Sequence, residues 1–204
     1  MRRLVLCLSL SCLVLALGAC RSAPTHFYTL LPPASASEVR GHAAYDIAVL
    51  PVTIPAQVDR PQMVVRDGDG SVALLQGQRW IGPLGDEIRS AVSIGLMRRL
   101  GAKDVYGLPH DSDTPVYRVN VNVRRFESAP GQYTYLLAAW SVHADKSGND
   151  PTIACTSDIR ESVGAGYAAL ARGHQTALYA LAGDIATVIQ AAAGGDAMHC
   201  PGRH

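Results

Sequence analysis

One cysteine stands where a covalent modification would be made. Leu17-Gly18-Ala19-Cys20 follows a basic start, Arg2-Arg3, and an apolar run from Leu4 to Leu17. The run is too short for a permanent transmembrane helix, which needs about 20 apolar residues, and it fits the core of an export signal. The motif has the form of a bacterial lipobox, in which small residues before the cysteine suit the processing peptidase and the cysteine thiol takes acyl chains. Residues 1–19 are then removed and the mature chain begins at a lipidated Cys20. Each buried CH₂ contributes about 0.8 kcal/mol, so two or three acyl chains hold a protein on a membrane and one chain is marginal. The other reading is an ordinary signal cut elsewhere, with Cys20 a plain thiol.

Other residue types that do chemistry are present without the spacing that chemistry needs. None of the seven histidines has a second histidine or a carboxylate at zinc-site spacing. Gly-x-Ser-x-Gly, the nucleophile turn of the common serine hydrolases, does not occur. Asp67-Gly68-Asp69-Gly70 resembles the start of a calcium loop but lacks a third ligand and a distal Glu, and reads as a hairpin turn. Gly164-Ala165-Gly166-Tyr167-Ala168-Ala169 fits a dinucleotide fingerprint, with Asp184 twenty residues on. That acid should end the next strand, and here it falls inside a helical pattern. The glycines therefore read as a sharp turn from strand to helix. His174, on an apolar stripe, reads as a core histidine, and Trp80 as a core or edge anchor. Asp59, Arg60 and Gln62 form a polar cluster between two strands, which is either a self-satisfied turn or a partner contact.

Cysteine usage agrees with export. Cys7 and Cys12 leave with the signal and Cys20 takes lipid, which leaves Cys155 and Cys200 as an even pair in an oxidising compartment. A disulfide is expected between them; the alternative is two buried or reactive thiols. Without Arg2 and Arg3 the chain has 16 basic and 17 acidic residues, so it is near neutral, and nucleic-acid binding is not expected. The apolar pattern near the C-terminus is interrupted by His174, Gln175 and Asp184, so no second membrane anchor is expected. The 185 residues from Cys20 onward suit one domain.

The elements follow from periodicity. Residues 20–25 are a short tether to the membrane, followed by a domain over 26–193 and a tail over 194–204. His26 to Leu31 reads as a strand, 32–37 as a loop, and Tyr45 to Val52 as a buried strand bounded by Pro51 and Pro55. Val58 to Arg66 runs from a polar turn into a strand that Ser71 to Leu75 answers, making a hairpin. Pro83 to Leu100 carries apolar residues at helical spacing and stops at Gly101. Lys103 to Tyr106 is a candidate edge strand. Tyr117 to Arg124 alternates apolar and polar residues, and with Tyr133 to Ala144 and Ile153 to Arg160 it makes an antiparallel meander. A last helix from Tyr167 to Ala193 ends at Gly194-Gly195. The predicted fold is α+β: a single domain with a mixed, mostly antiparallel sheet and two long helices packed on it.

Taken in order behind the lipobox, several short motifs form one pattern. They are Tyr28-Thr29-Leu30, Val49-Leu50-Pro51-Val52 with Ile54-Pro55, Asp59-Arg60-Pro61-Gln62, Arg79-Trp80 with Pro83-Leu84, Cys155, and Gly166-Tyr167-x-Ala169-Leu170 with His174. The pattern resembles the ABC-type transport auxiliary lipoprotein family, of the intermembrane transport type, from Tyr28 to about Ile189. Two places depart from it: Ile81-Gly82, where the family more often has a small residue and an acid, and the acidic-glycine turn at 67–70.

The resemblance implies a non-enzymatic subunit of a system moving lipids between the two membranes of a Gram-negative envelope. Its partners would be a mammalian-cell-entry (MCE) domain protein forming a ring or tube across the periplasm, together with an inner-membrane component. Arg21, rather than Asp, after the acylated cysteine favours the outer membrane, with the domain facing the periplasm. Docking on a ring implies self-association, and no cofactor is expected beyond the covalent lipid on Cys20. Asp59, Arg60 and Gln62 are the candidate partner-binding residues. An assembly factor or pilotin for another envelope complex is the alternative, and an envelope enzyme a more distant one.

Overall fold

The computed structural model describes residues 24–33, 42–68, 70–145 and 152–202. The lipobox and Cys20, the outer part of the 32–37 loop, Asp69 and the turn over 147–150 lie outside the described residues.

Alternation of apolar and polar residues produces the long strands. β5 (Val116–Ala129), β6 (Tyr133–Asp145) and β7 (Thr152–Ser162) form the meander, and Val119, Val121, Leu136, Ala138, Trp140, Val142 and Ile159 point to one buried face. β2 (Asp46–Val49) adds a parallel strand on the β5 side, giving the order β2-β5-β6-β7. Pro51 and Pro55 have no N–H to give to a ladder. After β2 the pairing continues through Leu50, whose N–H donates to the Val119 carbonyl, and through Thr53, whose N–H donates to the Val121 carbonyl and whose carbonyl accepts from Val123.

The chain then builds a second sheet. β1 (His26–Tyr28) lies parallel to β4 (Val72–Trp80), and β3 (Gln62–Arg66) lies antiparallel on its other side. The fold is therefore α+β in one domain with two helices, as expected, but the strands divide between sheets of three and four rather than lying in one. The first strand is shorter than its apolar run because Leu30 donates its N–H to a carboxylate instead of a ladder. The hairpin's return strand is longer than expected and ends at Trp80. Lys103 to Tyr106 makes a single bridge, Asp104 to Ile47, rather than a strand. Asp104 explains why: its carboxylate accepts from Arg89, Ser93 and the N–H groups of Val49 and Tyr106.

Two helices cover the inner face of the larger sheet. α1 (Leu84–Leu100) carries Asp86 and Glu87 in its first turn and Arg98 and Arg99 in its last, which complements the helix dipole. It ends on Gly101, whose left-handed backbone lets its N–H reach Met97. α2 (Tyr167–Gly194) buries Leu170, Leu178, Leu181, Ile185 and Ile189. By length and apolar composition α2 could cross a bilayer, contrary to the reading of an interrupted run, but 56% of its most apolar window is buried inside the fold, so it is a core helix. The helices touch where a Cβ on Gly95 would stand 2.7 Å from the Ala182 side chain, so this crossing requires glycine.

Candidate functional site

Stretches far apart in sequence meet around Trp80. It is the last residue of β4, buried, and its N–H donates to the Pro61 carbonyl at 2.8 Å. Tyr28 pairs with it across β1, and the Ile81 N–H donates back to the Tyr28 carbonyl at 2.8 Å. Beneath the Trp80 ring lie the edges of Phe126, with centroids 6.0 Å apart, and His174, at 6.2 Å.

The inner half of this site is closed to solvent. His174 and Phe126 stack with centroids 3.8 Å apart and planes 9° from parallel. His174 Nε2 and Ser128 Oγ are 2.8 Å apart, while His174 Nδ1 is buried with no partner. Burial pushes the His174 imidazole down to about 3, so it is neutral around pH 7. An unpaired lone pair is better tolerated than an unpaired N–H, so the favoured tautomer carries its proton on Nε2 and donates to Ser128. A serine and a histidine at this distance have the separation of a nucleophile and its base. Here both are buried, and no carboxylate orients the second nitrogen. The pair holds Phe126 and Trp80 in place.

Beside it, Glu87 ties the N-terminal segment to α1. Its buried carboxylate accepts from the Leu30 N–H at 2.8 Å and from the Thr29 hydroxyl at 2.7 Å. Gln175 Nε2 donates to the carbonyls of Thr29 at 2.9 Å and Leu31 at 3.2 Å. Residues 29–31 are thereby held by both helices.

The outer half carries the polar residues singled out by sequence. Asp59 and Pro61 are exposed and Arg60 and Gln62 half-buried, in a turn closed by Val58 N–H to Pro55 and Arg60 N–H to Val58. Arg60 Nε is buried without a hydrogen-bond partner. Gln62 stands opposite Arg79, which stands opposite Phe27, so the three form a row across β3, β4 and β1. The structure thus brings Asp59, Arg60 and Gln62 together on a rigid frame.

The cysteines lie elsewhere. Cys155 on β7 is bonded to Cys200, with Cα atoms 5.5 Å apart, so the segment after α2 is fastened to the sheet edge. Nearby, a shallow open depression of about 530 Å³ is lined by Asn120, Asn122, Ser141 and Thr156, and no acid or base faces it. Among the described residues no group of three or more His, Cys, Asp and Glu is arranged to hold a metal ion.

Sequence reasoning missed Glu87, Ser128 and Gln175. A signal existed for Glu87: it falls on the apolar stripe of Leu84, Ile88 and Ala91, where a charge has to be paired. It missed Glu127 as well. Burial pushes that carboxyl up, but hydrogen bonds from Arg125 and Arg66 outweigh it and hold the group below its usual range. Arg66 on β3 and Glu127 on β5 join the two sheets at 3.1 Å.

The motifs that meet here are also where a known family is recognised. The profile of the ABC-type transport auxiliary lipoprotein component family matches residues 28–186. The chain belongs to this family. The span runs from Tyr28 on β1 to Ala186 in α2, so it includes every residue of the Trp80 site described above except Phe27. The fold of this family member is shared with two crystal structures. One, of an uncharacterized protein, is 16% identical over 82% of this chain and 99% of its own, with a TM-score of 0.64. The other, protein XCC0632 from Xanthomonas campestris, is 18% identical over 82% of this chain and 95% of its own, with a TM-score of 0.56. The sequence matches no curated protein.

Proposed function

We propose that this transport auxiliary lipoprotein is anchored in the outer membrane by acyl chains on Cys20 and faces the periplasm. It acts there as a non-enzymatic subunit of an MCE-type intermembrane lipid transport system and docks the periplasm-spanning component. The observation that carries the reading is the junction around Trp80 in a chain of this family. The sealed aromatic and histidine packing, Glu87 and Gln175 make it rigid, and its polar turn, Asp59 to Gln62, is open to solvent. A preformed turn suits recognition, because little conformational freedom is lost on binding. Arg21 in place of Asp after the acylated cysteine supports the outer rather than the inner membrane.

A photo-crosslinking residue at Gln62 in the full-length protein, expressed in its own cells, tests the reading. The expected product is a crosslink to an MCE-domain protein in the outer-membrane fraction. A crosslink to a secretion channel instead would support a pilotin. A protein found free of membranes, or one that turns over an envelope substrate unaided, would overturn the proposal.

A further inference from the structure

The small sheet has a covered face and a bare one. Met63, Leu75, Trp80 and Tyr28 pack into the core. On the other face the register places Leu74 beside Val64, which is half-buried against the core, Val72 beside Arg66, which is paired with Glu127, and Phe27 beside Arg79. Seven large apolar side chains are exposed among the described residues, and four of them belong to this sheet and the residue after it: Phe27 at 58%, Val72 at 63%, Leu74 at 45% and Ile81 at 60%. Single exposed apolar residues need no explanation, but four gathered on one face of a sheet do.

The path of the tether says what covers them. The Pro24 carbonyl lies against Gly77, close enough that a Cβ there would stand 3.4 Å away. The chain therefore enters at the middle of β4, between the Val72–Leu74 and Phe27–Ile81 pairs. Cys20 is four residues earlier, which is a reach of at most about 14 Å. Acyl chains at that distance hold this face close to the lipid surface. The composition fits as well: β1, β3 and β4 contain no Asp or Glu, the acid paired with this sheet, Glu127, is taken up by Arg66, and Arg79 stands beside the exposed Phe27. Apolar side chains with an interspersed cation are what the boundary between headgroups and acyl chains accepts.

We infer that the outer face of the three-stranded sheet rests on the phospholipid surface beside the anchor, with Phe27, Val72, Leu74 and Ile81 at the acyl boundary and Arg79 at lipid phosphate. This deepens the proposed function and rests on its lipid anchor at Cys20. It also fixes an orientation, in which the anchor and the sheet form one contact, α1 and α2 are turned toward the periplasm, and Gln62, at the β3 end of the Arg79 row, stands at the rim of that contact with the Asp59–Pro61 turn left free for the partner.

The test uses the mature acylated protein on phosphatidylethanolamine–phosphatidylglycerol vesicles whose lipids are brominated near the glycerol end of the acyl chains. Leu74→Trp adds an indole at the proposed contact, Val72→Trp repeats it one pair along the strand, and Thr187→Trp adds one on the exposed side of α2. The native Trp80 and Trp140 are buried and give a common background. The emission added at 74 and at 72 should fall about two-fold or more, and that added at 187 should stay unchanged, because interfacial burial is only about 5–10 Å deep.

If the protein carries acyl chains by mass spectrometry and floats with the vesicles, yet positions 74 and 72 are quenched no more than 187, the inference is wrong and the anchor stands. A blue-shifted, unquenched indole at 74 together with a doubled mass would assign the face to a second copy and would also overturn it. A Cys20 without acyl chains would remove the anchor, and the inference with it.

Discussion

His174 lies flat against Phe126, 3.8 Å between ring centroids, with Ser128 Oγ 2.8 Å from its Nε2 and nothing at Nδ1. Burial lowers the imidazole to about 3 from the ordinary 6.5. The unfolded chain therefore binds a proton below pH 6.5 that the folded chain does not accept until about pH 3. Stability is full above pH 6.5 and declines as the pH falls toward 3. Between pH 7.5 and 5 the loss should be about 2 kcal/mol. Urea unfolding at the two pH values should show it in the native protein and not in His174→Gln, which keeps a donor for Ser128. An equal loss in the variant would assign the effect to other groups.

Glu87 holds residues 29 and 30 from the first turn of α1. Glu87→Ala leaves the buried Leu30 N–H without an acceptor, and a stranded buried donor costs about 1–3 kcal/mol. Glu87→Gln keeps one acceptor oxygen and should lose less. Denaturation midpoints would rank the three proteins, and amide exchange at Leu30 would show where the loss arises. A Leu30 amide that stays protected in Glu87→Ala would mean that β1 is fixed by its pairing with β4 alone.

The helices and the meander were legible because their signals are local. Leu84, Ile88 and Val92 repeat at helical spacing, and Val119 to Val123 alternate, so each element could be read from its own residues. The division into two sheets was not legible. It depends on β1 choosing β4 across fifty residues and on Pro51 and Pro55 ending the β2 ladder, and nothing in HFY or DIAV specifies a partner. The site was half legible. Trp80, His174 and Asp59 to Gln62 were visible as separate points, but only the folded chain shows that Trp80 N–H bonds Pro61 and that its ring lies over His174. Ser128 and Gln175 look like ordinary surface polar residues until their partners arrive from other elements.

The bond from Cys155 to Cys200 closes a loop of 45 residues that contains the whole of α2. Linking the chain there restricts the unfolded state by up to about 4 kcal/mol in the loop-entropy account. Cys200→Ser should therefore lower the unfolding temperature, and a reductant should lower that of the native protein to the same value without affecting the variant. A reductant that leaves the native protein unchanged would show that the tail is held by packing rather than by the bond.

The partner contact can be separated from the frame that supports it. Asp59 is exposed and Gln62 makes only a 3.5 Å contact with Gln76, so Asp59→Ala with Gln62→Ala should change stability by less than about 0.5 kcal/mol. If this turn docks the periplasm-spanning protein, the same pair should reduce the partner recovered by affinity capture from envelope extracts about ten-fold, equivalent to about 1.4 kcal/mol of binding. Thr156→Ala, on the exposed face of β7, serves as the control and should leave recovery unchanged. Glu87→Gln distinguishes frame from contact, because it touches no outward residue and would weaken capture only by loosening the turn's support. Capture lost equally in the Thr156 control would mean that the contact surface is the meander, while capture retained in the Asp59/Gln62 variant would leave that turn a self-contained corner of the fold.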